Sequence, residues 1–285
     1  MPAAGQEATA NPRRPRLSRR ALAGFVLVLA WHHPAAALST AAAPAAAAPA
    51  GPADVTAEAQ RLREAMARDV PRRQASVVTD ADWIARARSG LGPRAGIMDR
   101  PQIVIVVDRA PKVQEMALVL VRPDAAWEVI GGARVSTGQA GRKLYYITPT
   151  GVFPHDGAIL DYRAEGTFNE NHIRGLGLKG MRVWDFGWQN AAKGWQGNGD
   201  SGDIRLLMHA TDPANLESRI GRAASMGCVR IPAKLNRFLD QNGILDADYE
   251  RIAQTDIRYR ALLLPDRRPT PLAGNLMVVI DSSQS

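Results

Sequence analysis

Between Gln102 and Ile280 the chain is cut into short β-branched and aliphatic runs, separated by glycine, proline and aspartate. This punctuation constrains the fold more than any other feature, because short apolar runs bounded by turn formers read as strands. The runs are Gln102–Val107, Glu115–Val121, Trp127–Ile130, Ala133–Ser136, Asp203–His209 and Leu276–Ile280. Many short strands with Gly and Pro turns predict a mainly β domain of the sandwich or barrel-like kind, carrying short helices. One such helix is expected over 233–241, where Leu235, Phe238 and Leu239 share a face and Gly243 stops the turn. Another is expected in the connector after Asp212-Pro213, a cap followed by Pro at the first helical position. No internal repeat is visible.

The first hundred residues differ in character. An Arg-rich stretch precedes the apolar run Ala21–Trp31, and Ala35-Ala36-Ala37 follows. The run is too short for a stable membrane span, so residues 1–37 read as an export signal with an A-x-A cleavage site. Arg19-Arg20 resembles a twin-arginine signal; the general secretory route and an uncleaved anchor stay open. Residues 38–53 are almost all Ala, Pro, Ser, Thr and Gly, the composition of a flexible linker. Residues 54–100 are expected to form a helical N-terminal extension. Its first helix runs from Asp54 to Asp69, with Leu62 and Met66 on one face and Pro71 as the stop. Its second runs over 81–89, with Thr79 and Asp82 at capping-box spacing and Gly90 as the stop. Residues 101–285 then form the main domain.

The net charge of +8 owes part of its excess to arginines in the leader. No basic block interleaved with aromatics and no nucleic-acid motif is present, so a nucleic-acid partner is not expected. A single cysteine, Cys228, excludes any disulfide within the chain. A lone thiol in an exported protein is exposed to oxidation, so it is either buried and inert or kept for its reactivity.

The surroundings of Cys228 leave both readings open and offer what reactivity would need. It stands in Ser225-Met-Gly-Cys-Val-Arg230, and His209 ends a strand 19 positions earlier. A thiol becomes nucleophilic when a base or positive charge favours its thiolate. The segment between them is long enough to fold back and bring imidazole and thiol together. Gly227 suits a tight turn in which peptide N–H groups point at one spot, as an oxyanion hole requires. Arg230 can raise the local potential or hold a substrate carboxylate. A metal site would need more ligands at suitable spacing, and neither a metal nor an organic cofactor is expected.

His209-Ala-Thr211, a spacer, and Ser225–Arg230 together resemble the catalytic signature of the YkuD-type L,D-transpeptidases. Val135-Ser-Thr-Gly138 and Thr148-Pro-Thr-Gly-Val-Phe153 are similar to that family's second recurrent element. The resemblance runs from about Gln102 to Pro232, with a terminal strand after it. It implies a β-sandwich-like catalytic domain over 101–285 that works on peptidoglycan stem peptides in the periplasm or cell envelope. Cys228 would be the nucleophile, His209 the base, and backbone N–H groups around Gly227 and Cys228 the oxyanion hole. Ser225, Met226 and Arg230 would meet substrate. Release of D-Ala from a tetrapeptide stem and a 3-3 cross-link, or anchoring of a protein, would follow. Acylation by carbapenems and a monomeric state are also expected. Hydrolysis by the same site, as in an L,D-carboxypeptidase or endopeptidase, and a non-catalytic wall-binding domain are the alternatives.

The chain departs from the family at Met226, where histidine is usual; methionine neither carries charge nor donates a strong hydrogen bond. A Gly- and Asn-rich stretch over 163–202 reads as an insert-like loop whose Trp184, Trp188 and Trp195 either pack it down or line a lid. His155 and His172 read as surface or loop residues, Asp108 and Asp124 as turn formers, and Asp212 as a helix cap. With Ala210 beside it, His209 has no neighbouring side-chain acceptor and is expected to be oriented by a backbone carbonyl.

Overall fold

A computed structural model describes residues 52–70, 78–123 and 125–284. The export signal, nearly all of the Ala/Pro-rich linker, Pro71 and Asp124 lie outside the described residues. Five α-helices and nine strands are present among those described: α1 (Pro52–Asp69), α2 (Asp80–Leu91), β1 (Gln102–Asp108), β2 (Glu115–Val121), β3 (Glu128–Arg134), β4 (Gly151–Pro154), β5 (Tyr162–Arg163), β6 (Arg182–Ala192), β7 (Ser201–Ala210), β8 (Val229–Ile231), α3 (Ala233–Gln241), α4 (Ala247–Ile252), α5 (Ile257–Leu262) and β9 (Leu276–Ile280). Helices and strands contribute about equally. The chain is therefore mixed α/β with two open sheets, more helical than the mainly β domain expected.

The first sheet has the order β3-β2-β1-β9-β4 and the second the order β5-β6-β7-β8. Neighbours are antiparallel except β1 with β9 and β7 with β8. Every residue of β1 and β2 is buried. The sheet is covered on both faces, so its strands read as continuous apolar runs without alternation. On one face Ile103, Ile105, Leu118 and Leu120 meet Trp184, Leu206, Met208, Val229 and Ile231 of the second sheet, together with α1 and α3. On the other face Val104, Val106, Val119 and Val278 pack against Trp83, Ala87 and Leu91 of α2.

The N-terminal helices belong to these same cores. Leu62 and Met66 of α1 are buried there, and the helix starts at Pro52, two residues inside the expected linker. The Thr79–Asp82 capping box is formed: Thr79 Oγ1 accepts the Asp82 N–H at 3.1 Å and Asp82 Oδ2 accepts the Thr79 N–H at 3.3 Å. Gly90 does not stop α2, which continues to Leu91 before Gly92, at φ 54°, ends it. Gly90 is instead a contact point: a Cβ there would strike Val278.

Two further sequence expectations change. The runs at Trp127–Ile130 and Ala133–Ser136 are not separate strands: β3 takes residues of both, Glu128–Arg134, through Gly131 and Gly132, which read as a break, and leaves Trp127, Val135 and Ser136 outside it. The stretch over 163–202 is not simply a loop, because it contains β6, the longest strand. No described helix is long and apolar enough to cross a membrane.

Candidate active site

Strand parity places the chemistry. In β7, Leu206 and Met208 point into the core shared by the sheets, and in β8 so do Val229 and Ile231. Leu207 and His209, and Arg230, therefore project from the opposite face. The parallel register pairs His209 with Arg230. Cys228 stands in the bend that leads from Gly227 into β8, and its Sγ lies 3.8 Å from the carbonyl oxygen of Arg205, four residues before His209 on β7.

His209 is buried, and its Nδ1 lies 2.6 Å from the carbonyl oxygen of Ala210. That carbonyl can only accept, so Nδ1 carries the proton and Nε2 is the basic nitrogen. Burial, with the positive Arg230 nearby, pushes the imidazole down to about 4, while its bond to Ala210 opposes the shift. It is neutral at neutral pH, the state a general base requires. Cys228 is half-buried. Burial pushes its thiol up; a backbone bond at Leu207 and the charge of Arg230 pull it down. Sγ lies 3.8 Å from the Arg205 carbonyl oxygen, and no hydrogen bond joins it to His209 among the described residues.

The loop carrying Cys228 is pinned from inside and outside. Ser225 Oγ accepts the Gly227 N–H at 3.1 Å and donates to the Cys228 carbonyl at 2.6 Å. Gly227 sits at φ 127°, and a Cβ there would lie 2.6 Å from Ile204 Cδ1. Outside the loop, the Thr137 carbonyl accepts the N–H groups of both Ala224 and Ser225 at 2.9 Å. Thr148 Oγ1 accepts from the Gly138 N–H at 2.8 Å and donates to the Gly227 carbonyl at 2.7 Å. Ser136 exchanges both backbone hydrogen bonds with Arg230. The 135–138 segment and Thr148, distant in sequence, thus cradle the cysteine loop.

Two expected roles are corrected by this geometry. The Gly227 N–H is already held by Ser225, so this glycine supplies conformation and not an oxyanion donor. Ser225 is fully buried with its hydroxyl consumed inside the loop, so it cannot meet substrate directly. Met226 remains available at 50% exposure, and its carbonyl receives the Tyr146 N–H. Arg230 is half-buried beside the thiol: Nη1 donates to the Ala224 carbonyl at 3.3 Å, while buried Nε has no hydrogen-bond partner. No carboxylate pairs with it among the described residues.

No protein-family model matches the chain, and no curated protein is found similar to it.

Other groups went unseen in the sequence. Gln114, a buried residue at φ 48°, accepts the Thr137 N–H at 2.8 Å and donates to Thr137 Oγ1 at 2.7 Å, fixing the cradle from behind. Asp185 is buried and held by Arg205. Tyr162, half-exposed on β5, has its phenol pushed up by burial, with the charges of Asp185 and Cys228 adding. His155 is not a surface residue. It is buried, with Nε2 2.9 Å from Asp161 and its ring stacked on Tyr249 at 4.4 Å. His172 is an exposed loop residue. Asp108 and Asp212 serve backbone geometry: Asp108 accepts the Ala110 N–H, and Asp212 accepts those of Arg174 and Ala214. No described group of three or more His, Cys, Asp or Glu is arranged to hold a metal.

Proposed function

We propose that the chain is an exported peptidoglycan L,D-transpeptidase of the YkuD type, with residues 101–285 as its β-sandwich-like catalytic domain. The observation that carries this reading is the position of Cys228 at the entry to β8, the strand paired in parallel with the His209 end of β7, in a loop braced by the 135–138 segment and Thr148. A buried inert cysteine would need neither a neutral imidazole on the neighbouring strand nor, two residues away, an arginine that no carboxylate pairs with among the described residues.

In the proposed reaction, a tetrapeptide stem enters over Met226, and one of its carboxylates pairs with Arg230. The thiol turns about its Cα–Cβ bond from the Arg205 carbonyl toward His209 Nε2 and gives up its proton there. Sγ bonds to the carbonyl carbon of the diaminopimelate–D-alanine linkage, with the Cys228 N–H as the nearest backbone donor to the oxyanion. The C–N bond breaks, and the departing amine of D-Ala takes the proton from His209. A second stem's side-chain amine then attacks the thioester. The C–S bond breaks, the amine proton returns through His209, and the thiol is restored. No step of this reaction calls for a cofactor, and the reading takes the chain as a monomer.

The experiment is a digest of tetrapeptide-bearing muropeptides with purified protein. Cross-linked dimers with release of D-Ala support transfer. Tripeptides alone support hydrolysis instead, and unchanged substrate would remove the enzymatic reading.

A further inference from the structure

Of the three tryptophans in the 163–202 stretch, two are packed and one is not. Trp184 is buried in the core, and Trp195 meets Tyr146 edge-to-face at 5.1 Å. Trp188 is 67% exposed, although it lies in the middle of β6, the longest strand. A β-bulge puts it there. Asp185 pairs with Leu207, but Trp188, not Gly187, pairs with Arg205. One extra residue on β6 reverses the parity beyond Phe186. Gly187 takes φ 78°, and its N–H is bonded to Asp185 Oδ1 at 2.9 Å. Without the bulge, Trp188 would turn to the opposite face; with it, the indole stands on the face that carries Arg205 and His209.

The surroundings of Trp188 are polar and planar. Arg205 lies 5.8 Å from the indole centroid and is bound to Asp185, with Nε 2.9 Å from both oxygens and Nη2 at 2.8 Å. The backbone carbonyl of this same Arg205 faces the Cys228 thiol at 3.8 Å. On the other side, Asn190 and Asp203 form the next outward pair, both exposed and 3.4 Å apart. Arg205 has its charge matched by Asp185, so this patch, unlike Arg230, offers no free cation to an anionic ligand.

We infer that Trp188, with Arg205, Asp185, Asn190 and Asp203 around it, is a saccharide-binding platform for a β-linked N-acetylhexosamine chain passing beside the thiol. A pyranose ring has one face of C–H groups, which covers an indole, and an edge of hydroxyl and amide groups, which bonds to planar polar side chains. The platform deepens the cell-wall reading, on which the choice of sugar rests. It would hold the glycan from which a stem peptide reaches Cys228, so that saccharide binding and acylation act in neighbouring parts of one surface.

The test is isothermal titration calorimetry of the full chain with chitotetraose, the β-1,4 tetramer of N-acetylglucosamine. Saturable binding is expected, weakened at least about tenfold in Trp188→Ala and partly kept in Trp188→Phe. Trp188 is exposed, so both variants should retain the thermal midpoint of the parent chain. Cys228→Ala should bind the sugar as the parent does, which separates this result from the fate of the acyltransfer reading. No saturable heat in the parent, or equal binding in Trp188→Ala, overturns the platform, whatever the thiol does.

Discussion

His209 Nδ1 lies 2.6 Å from the carbonyl oxygen of Ala210, the next residue in the chain. A backbone oxygen cannot be titrated away, so the proton stays on Nδ1 at every pH at which the strand is intact, and only Nε2 titrates. With the ring pushed down to about 4 by burial, carbapenem acylation should hold steady as pH falls through the usual histidine range and decline only towards about 4. Stopped-flow acylation across that range checks it. A decline centred near the ordinary histidine value of 6.5 would be the contrary result.

The same burial has a consequence for stability. Between about 4 and 6.5 the unfolded chain protonates this histidine while the folded chain does not, so folding loses stability as pH falls through that window. The loss should approach about 3 kcal/mol and be absent from His209→Gln. His155 acts in a different window. Its burial opposes protonation, but the carboxylate of Asp161 outweighs that and raises the ring. Its contribution is complete below 6.5 and fades as pH rises through the folded value. Denaturant midpoints of His209→Gln and His155→Gln against pH separate these effects.

Thr148→Val removes the hydroxyl that links Gly138 to Gly227 and leaves two buried backbone groups unpaired. Such groups cost about 1–3 kcal/mol. Chemical denaturation should show a loss in that range, and acylation of Cys228 should slow by more than the stability loss explains. Thr148→Ser should restore both.

Gly227→Ala forces a methyl group to within 2.6 Å of Ile204 and a side chain into a positive-φ conformation. The expected cost is about 1–3 kcal/mol, with a displaced thiol. Iodoacetamide, which needs free thiolate, should label the parent slowly at neutral pH because burial raises the thiol. Faster labelling in the variant would report the loosened loop.

Arg182 is wholly buried, with Nε 2.8 Å from Asp161 and Nη2 3.0 Å from Asp246. Arg182→Ala should cost about 3–5 kcal/mol, since it strands buried carboxylates without their cation. A thermal midpoint unchanged from the parent would contradict that role.

The regular elements were legible where local signals and burial agree. The runs now in β1, β2 and β9 are buried on both faces, so their apolar character needed no periodicity. The 233–241 helix shows its buried face directly in Leu235, Phe238 and Leu239. β6 was illegible because its Gly187 and Asn190 mimic loop composition, and its bulge breaks the alternation that marks a strand. The cysteine loop was found from its motif. Its support was not: Gln114 reaches Thr137 across 23 residues, and the Asp161–His155–Arg182 cluster forms only when β5, β6 and the residues before α4 converge. Ser225 read as a substrate contact because a hydroxyl beside a nucleophile gives no sign in sequence of the bonds that consume it.

Intact-protein mass spectrometry after incubation with a carbapenem tests the partnership of thiol and imidazole most directly. The parent chain should gain the mass of one drug molecule, Cys228→Ala should gain none, and His209→Gln should gain it far more slowly. A parent that stays unmodified, or a His209→Gln variant acylated as fast as the parent, would contradict a reactive Cys228 served by His209.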